Sequence, residues 1–150
     1  MTKPVDSTKS TLTPPEIMLH AKDSSGTLDD YDKKVAMPTM IAEFSQPNSE
    51  VEQFGNALYV VHKGENGNGS FKFFTADVPE NELSNFLSFL VWAKTKVGMQ
   101  ILVSEFKDEK YLNLCDEMYA NAPFQNMGYK FYEPKDGKTL VALNLGEGEA

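Results

Sequence analysis

The sequence predicts an α+β fold, a mostly antiparallel sheet with two main helices, ordered β-β-α-β-α-β-β over its C-terminal two thirds. Two hairpin signatures and one amphipathic segment carry this reading. "NALYVVHK" (Asn56 to Lys63) and "SFKFFTA" (Ser70 to Ala76) are rich in β-branched and aromatic residues, with only a Gly/Asn stretch between them. "YKFYEPKDGKTLVALNL" repeats the pattern, and Pro134, Lys135, Asp136 and Gly137 supply its turn. Between the hairpins, Leu83, Phe86, Leu87, Leu90 and Val91 recur at helical spacing, widened by Trp92 and Val97.

Taken in order, residues 1–13 are polar and rich in Ser, Thr and Lys, and read as a flexible arm. A single domain is expected over 14–145, and a flexible acidic tail over 146–150. "PPEIMLHAKD" can open a short helix, with Pro15 in the first turn and Ile17, Met18 and Ala21 on one side. "SSGTLDDYDKK" reads as loop, and "AMPTMIAEF" as a strand with Pro38 near its start. Asp77 and Glu80 have capping-box spacing, Pro79 falls in the first turn, and Gly98 is a stop for that helix. "QILVSEF" (Gln100 to Phe106) is a short apolar run and predicts a buried strand. "KDEKYLNLCDEMYANAP" predicts the second helix, with Tyr111, Leu114, Cys115 and Met118 on one face and Pro123 at its end.

Composition excludes several classes of function. The 150 residues carry a formal net charge of -8, which argues against general nucleic-acid binding. Cys115 is the only cysteine, and with His20 and His62 it makes neither a zinc set nor a Cys–His motif. The longest apolar run, "FLSFLVWA", falls far short of the ~20 residues a membrane span needs. The N-terminus has no apolar core of a secretory signal, so a host cytoplasm or a particle assembled there is the expected location.

Gly64, Gly67 and Gly69 in "GENGNG" pose the question of a phosphate loop. An aromatic strand follows them rather than a helix, so they are read as a hairpin tip.

The element order from Asn56 to Leu145, and the phrase "FQNMGYKFYEPKDGKTLVAL" with its Gly128–Tyr129 pair, resemble the GNAT superfamily of N-acetyltransferases. "FFTAD" (Phe73 to Asp77) and the final hairpin also resemble small internal virion or assembly proteins of T7-type tailed phages. The GNAT resemblance implies a glycine-rich loop that holds the CoA diphosphate before the long helix. At that position the chain has "TADVPENEL", with no glycine and with Asp77, Glu80 and Glu82. It also implies a tyrosine acid where this chain has Phe124, with Tyr119 one turn earlier as a substitute. Glu105 and His62, each near a strand end, are the candidate bases. On these departures no catalytic, cofactor-binding or metal residue is assigned, no cofactor is expected, and enzymatic activity is left open, leaning against. The expected function is a non-enzymatic structural or assembly protein, acting through other proteins, including virion components. Phe71, Phe73, Tyr129 and Tyr132 are its candidate anchors, weighed against plain core packing. The alternatives are an acyl-CoA-dependent N-acetyltransferase and an acidic phage inhibitor or adaptor that binds a host protein.

Overall fold

The sheet is built around two hairpins and a parallel pair that joins them. The computed structural model describes residues 12–20, 22–23, 38, 41–42, 44–107, 109–124 and 126–146. Its strands are β1 (Lys22–Asp23), β2 (Ser49–Phe54), β3 (Ala57–Lys63), β4 (Asn68–Thr75), β5 (Ile101–Phe106), β6 (Gly128–Phe131) and β7 (Thr139–Asn144). They run β2-β3-β4-β5-β7-β6 across the sheet, and β1 joins β4 off this path. Among the described strands only β4 and β5 pair in parallel, and the crossover between them carries the long helix. The mixed α/β architecture follows the sequence expectation.

The predicted hairpin tip is a hairpin tip. Asn66 (φ 58°) and Gly67 (φ 79°) both take the left-handed backbone that tight β-turns require. Gly64 N–H donates to the Asn68 carbonyl at 2.7 Å, and Gly69 lies inside β4. The second hairpin turns through Asp136 (φ 55°) and Gly137 (φ 78°). β7 inserts between β5 and β6 and pairs with both in antiparallel register.

Period-two alternation gives each central strand two faces. One face presents Tyr59, Val61, Phe71, Phe73, Leu102, Phe106, Val141 and Leu143 to α2 (Glu82–Trp92) and α3 (Glu109–Ala120). Tyr59 lies in a stack here, with its ring 4.8 Å from Phe73 and 4.4 Å from Phe89. The other face, with Leu58, Val60 and Phe74, is covered by Ile17 of α1 (Pro14–His20) and by the partly buried Phe44 and Val51. The start of α1 is a capping box: Thr13 N–H donates to Glu16 Oε1 at 2.8 Å, and Glu16 N–H to Thr13 Oγ1 at 3.4 Å.

Four expectations need correction. Pro38, Ile41, Ala42 and Phe44 are helical, so "AMPTMIAEF" is not a strand where it is described. The Ser45 N–H and hydroxyl both return to the Ile41 carbonyl, which suits a helix end. The long helix begins with a 3-10 turn, Pro79–Asn81, and Asp77 binds across the fold rather than in a box with Glu80. Its buried stripe is Phe86, Phe89, Leu90 and Ala93, and Val91 faces solvent. A π-helical turn (Ala93–Val97) shifts the phase before Gly98 (φ 86°) ends it. Phe71 and Phe73 are buried core residues and cannot be contact anchors. The loop "SSGTLDDYDKK", the arm up to residue 11 and residues 147–150 of the tail lie outside the described residues. Leu12, assigned to the arm, donates its N–H to Asn56 Oδ1 at 2.7 Å and accepts from Gln53 Nε2 at 2.8 Å.

Phe89→Ala should cost about 3–5 kcal/mol, because the ring is fully buried and packs on five other aromatics. Phe131→Ala, on the half-exposed sheet edge, should cost no more than about 1 kcal/mol. Urea unfolding of the two variants checks the contrast.

Candidate functional site

The start of α2 is knotted by one carboxylate. Asp77 Oδ2 accepts the Asn56 N–H at 2.9 Å and Asn85 Nδ2 at 2.8 Å. Its Oδ1 accepts the Val78 N–H at 2.8 Å and Asn81 Nδ2 at 2.9 Å. Partial burial alone would raise the Asp77 pKa, but these four hydrogen bonds outweigh it and hold the carboxyl below its usual range. Gly55 (φ 57°) completes the knot, since a Cβ there would come within 2.6 Å of Asn85 Oδ1 and Asp77 Oδ2.

This arrangement bears on the CoA that a GNAT-like site implies. A diphosphate at a helix start needs free N–H groups and room for negative charge. Here Val78 N–H is spent on Asp77, Pro79 has no N–H, and Asn81 N–H bonds the Val78 carbonyl at 3.0 Å. Asp77, Glu80 and Glu82 add three carboxylates at the same place. The residues present do not fit the diphosphate.

The second feature is a fork between β4 and β5. They pair only at Asn68↔Ile101, Gly69↔Leu102 and Ser70↔Val103, although β4 continues to Thr75 and β5 to Phe106. β3 holds the opposite edge of β4 from Gly69 to Thr75. The edge that β5 leaves is taken up at its far end by β1, with Lys22 opposite Thr75 and Asp23 opposite Phe74. On the helix side, aromatic rings fill the fork: Phe73 lies 6.0 Å from Phe106 and 5.0 Å from Tyr111.

The opposite side of the fork is open. A cleft of about 400 Å³ is lined by Gln46, His62, Ser70, Phe71, Lys72, Val103, Ser104 and Glu105. Strand register explains the gathering. His62 is opposite Ser70, Ser70 is opposite Val103, and Lys72 and Glu105 follow two residues on along the same face. The structure thus brings the two candidate bases, His62 and Glu105, into one cavity. Ser49 Oγ engages His62 Nδ1 at 2.7 Å from the neighbouring strand β2. A shallower, mostly apolar hollow of about 570 Å³ adjoins this cleft and shares His62, Ser70 and Val103 with it.

Other candidates stand elsewhere. Tyr119 is exposed on α3 and packs edge-on against Tyr129 of β6, two strands beyond β5. Tyr129 also donates to Asp116, a bond that raises its pKa ahead of its slight burial. Phe124 packs on the core with Lys94 Nζ 5.3 Å from its ring centre. Cys115 is buried against the sheet and its thiol is pushed up to about 12, first by burial and then by Asp116, so it is inert. The side chain of His20 lies outside the described residues. Among the described residues no group of three metal-binding side chains occurs, and no helix is long and apolar enough to cross a membrane. Ser49, Ser70, Lys72 and Ser104 were not singled out from the sequence. Their signal is register across strands, which a single sequence carries only once the pairing is known.

No protein-family model and no curated protein matches the chain. Solved structures do. A spermidine N-acetyltransferase SpeG chimera from Vibrio cholerae and hSSAT aligns with TM-score 0.51 at 10% identity, over 89% of this chain and 90% of that one. A putative phosphinothricin N-acetyltransferase aligns at 0.47 and 15% identity, over 83% and 84% of the two chains. A GNAT-family acetyltransferase from Streptococcus pneumoniae aligns at 0.46 and 11%, over 87% of each. The chain has a GNAT-like fold. The expectation of a non-enzymatic structural or assembly protein is corrected: the structure this fold resembles is an acetyltransferase, and that likeness carries the fold alone.

Asp77→Ala should destabilise the protein by about 2–3 kcal/mol at pH 7, the scale of losing hydrogen bonds to a charged group. Because the folded-state pKa is depressed, this stabilisation is present above the unfolded pKa and is lost as pH falls through the folded value. The gap between the wild-type and variant urea midpoints should therefore hold down to roughly pH 4 and close below it.

Proposed function

We propose that the chain is an N-acyltransferase, moving an acyl group from a thioester to an amine in the cleft at the β4–β5 fork. The observation that carries this reading is the convergence of His62 and Glu105, with Ser70, where the two parallel strands of a GNAT-like sheet part. The amine nitrogen attacks the thioester carbonyl, the C–N bond forms and the C–S bond breaks. The nitrogen loses its proton to a base, and the sulfur departs as thiolate or takes up a proton to leave as thiol. With Ser49 on Nδ1, His62 would work through Nε2, and Glu105 shares the cleft as the second base or as the group that draws a cationic amine. Ser70 supplies a hydroxyl beside the reacting carbonyl. Tyr119 takes no part, because it lies away from the fork. The phage-like phrases carry none of this proposal.

Purified protein should convert amines from a small panel to their amides with release of free thiol, followed by mass spectrometry and a thiol dye. His62→Ala should lower kcat about 100-fold or more, the usual contribution of a general base. Glu105→Gln should act on the same step or on KM. Absence of any amide product would sink the reading.

A further inference from the structure

We infer that the acyl donor of this site is recognised without a nucleotide: Asp77 already stands as the anion at the start of α2, and β1 closes the strand edge leading from there into the fork. This rests on the acyltransferase reading. Its ground is that the chain fills both places a diphosphate-bearing donor would use. Asp77 takes four N–H donors, from Asn56 in the β2–β3 turn, from Val78, from Asn81 of the 3-10 turn and from Asn85 in the first turn of α2. A diphosphate would have to displace a carboxylate held by four hydrogen bonds and then face Glu80 and Glu82.

The route onward is closed as well. An extended ligand arm running along the vacated β4 edge would need the backbone groups of Phe74 and Thr75, and these face Asp23 and Lys22 of β1. On the helix side of the fork, Phe71, Phe73, Phe106 and Tyr111 are buried and in mutual ring contact. The remaining entry is the open cleft on the α1 side, with His62, Lys72 and Glu105 on its walls. A donor that enters there presents its acyl thioester and a short stem, and the rest of the molecule stays outside. Compact thioesters, down to an S-acyl cysteamine, are the substrate class that fits.

The test compares S-acetyl-N-acetylcysteamine, S-acetyl-pantetheine and acetyl-CoA with one amine, while amide signals of the labelled full chain are followed by NMR on titration with CoA. The expected result is kcat/KM equal within about threefold across the three donors, with the Asp77, Val78, Glu80 and Glu82 amides unmoved by CoA. An advantage of about tenfold or more for acetyl-CoA would overturn the inference, since that ratio is binding energy taken from the nucleotide. If no donor is turned over, the acyltransferase reading falls by itself and the titration still decides. Saturable shifts at Asp77 to Glu82 with CoA overturn the inference, and their absence sustains the assignment of Asp77 as a built-in anion.

Discussion

The early parting of β4 from β5 is the constraint around which the rest of the molecule is arranged. A parallel pair that stops after three residues leaves two strand edges without partners inside a sheet, and buried backbone groups need partners. The chain resolves this in two ways. β1 takes the end of the vacated β4 edge, and aromatic rings fill the gap from the helix side, while β7 holds β5 by its other edge. What remains open is the polar side, and the cleft there is a by-product of the same geometry.

The helix start shows how an internal group can stand in for a ligand. A helix N-terminus exposes N–H groups and a partial positive charge. Asp77 brings a negative charge there from within the chain, and it ties the β2–β3 turn to α2. The close approach of Gly55 to Asn85 follows from that tie. One carboxylate thereby joins the β2–β3 turn, the 3-10 turn and α2.

Most elements of the sheet and both long helices were legible because their signals are local. The hairpins rest on β-branched and aromatic runs around Gly/Asn turns, and the helices on 3.6-residue spacing. β2 was missed because the polar "SEVEQ" hides its signal: Glu50 and Glu52 are exposed on an edge strand, and only Val51 and Phe54 are apolar, packing on opposite faces. β1 is two residues long and has no local signature; it exists because β4 offers an edge. The stripe of α2 was read one step out of phase at Val91, because Phe89 rather than Val91 meets Tyr59. The site was legible only as separate letters. His62 and Glu105 were named as strand-end residues, yet 43 positions of chain separate them and pairing through β4 alone makes them neighbours. Asp77 was read as a helix cap, and its reach to Asn56 depends on a turn folded elsewhere.

The place of β7 between β5 and β6 has a consequence for how the chain is made. β5 finds its first partner in β4, across the whole length of α2, and its second only when Thr139 to Asn144 arrives. Until then a strand containing Ile101, Leu102, Val103 and Phe106 has one long edge bare. Such non-local pairing slows folding, and an uncovered apolar strand is open to association with other chains. Synthesis on a ribosome delivers β7 after the other described strands of the sheet, so the second hairpin closes it and ends that exposure. Truncation of the last strand would then be felt as aggregation of the nascent domain, well before any loss of the distant cleft could be noticed.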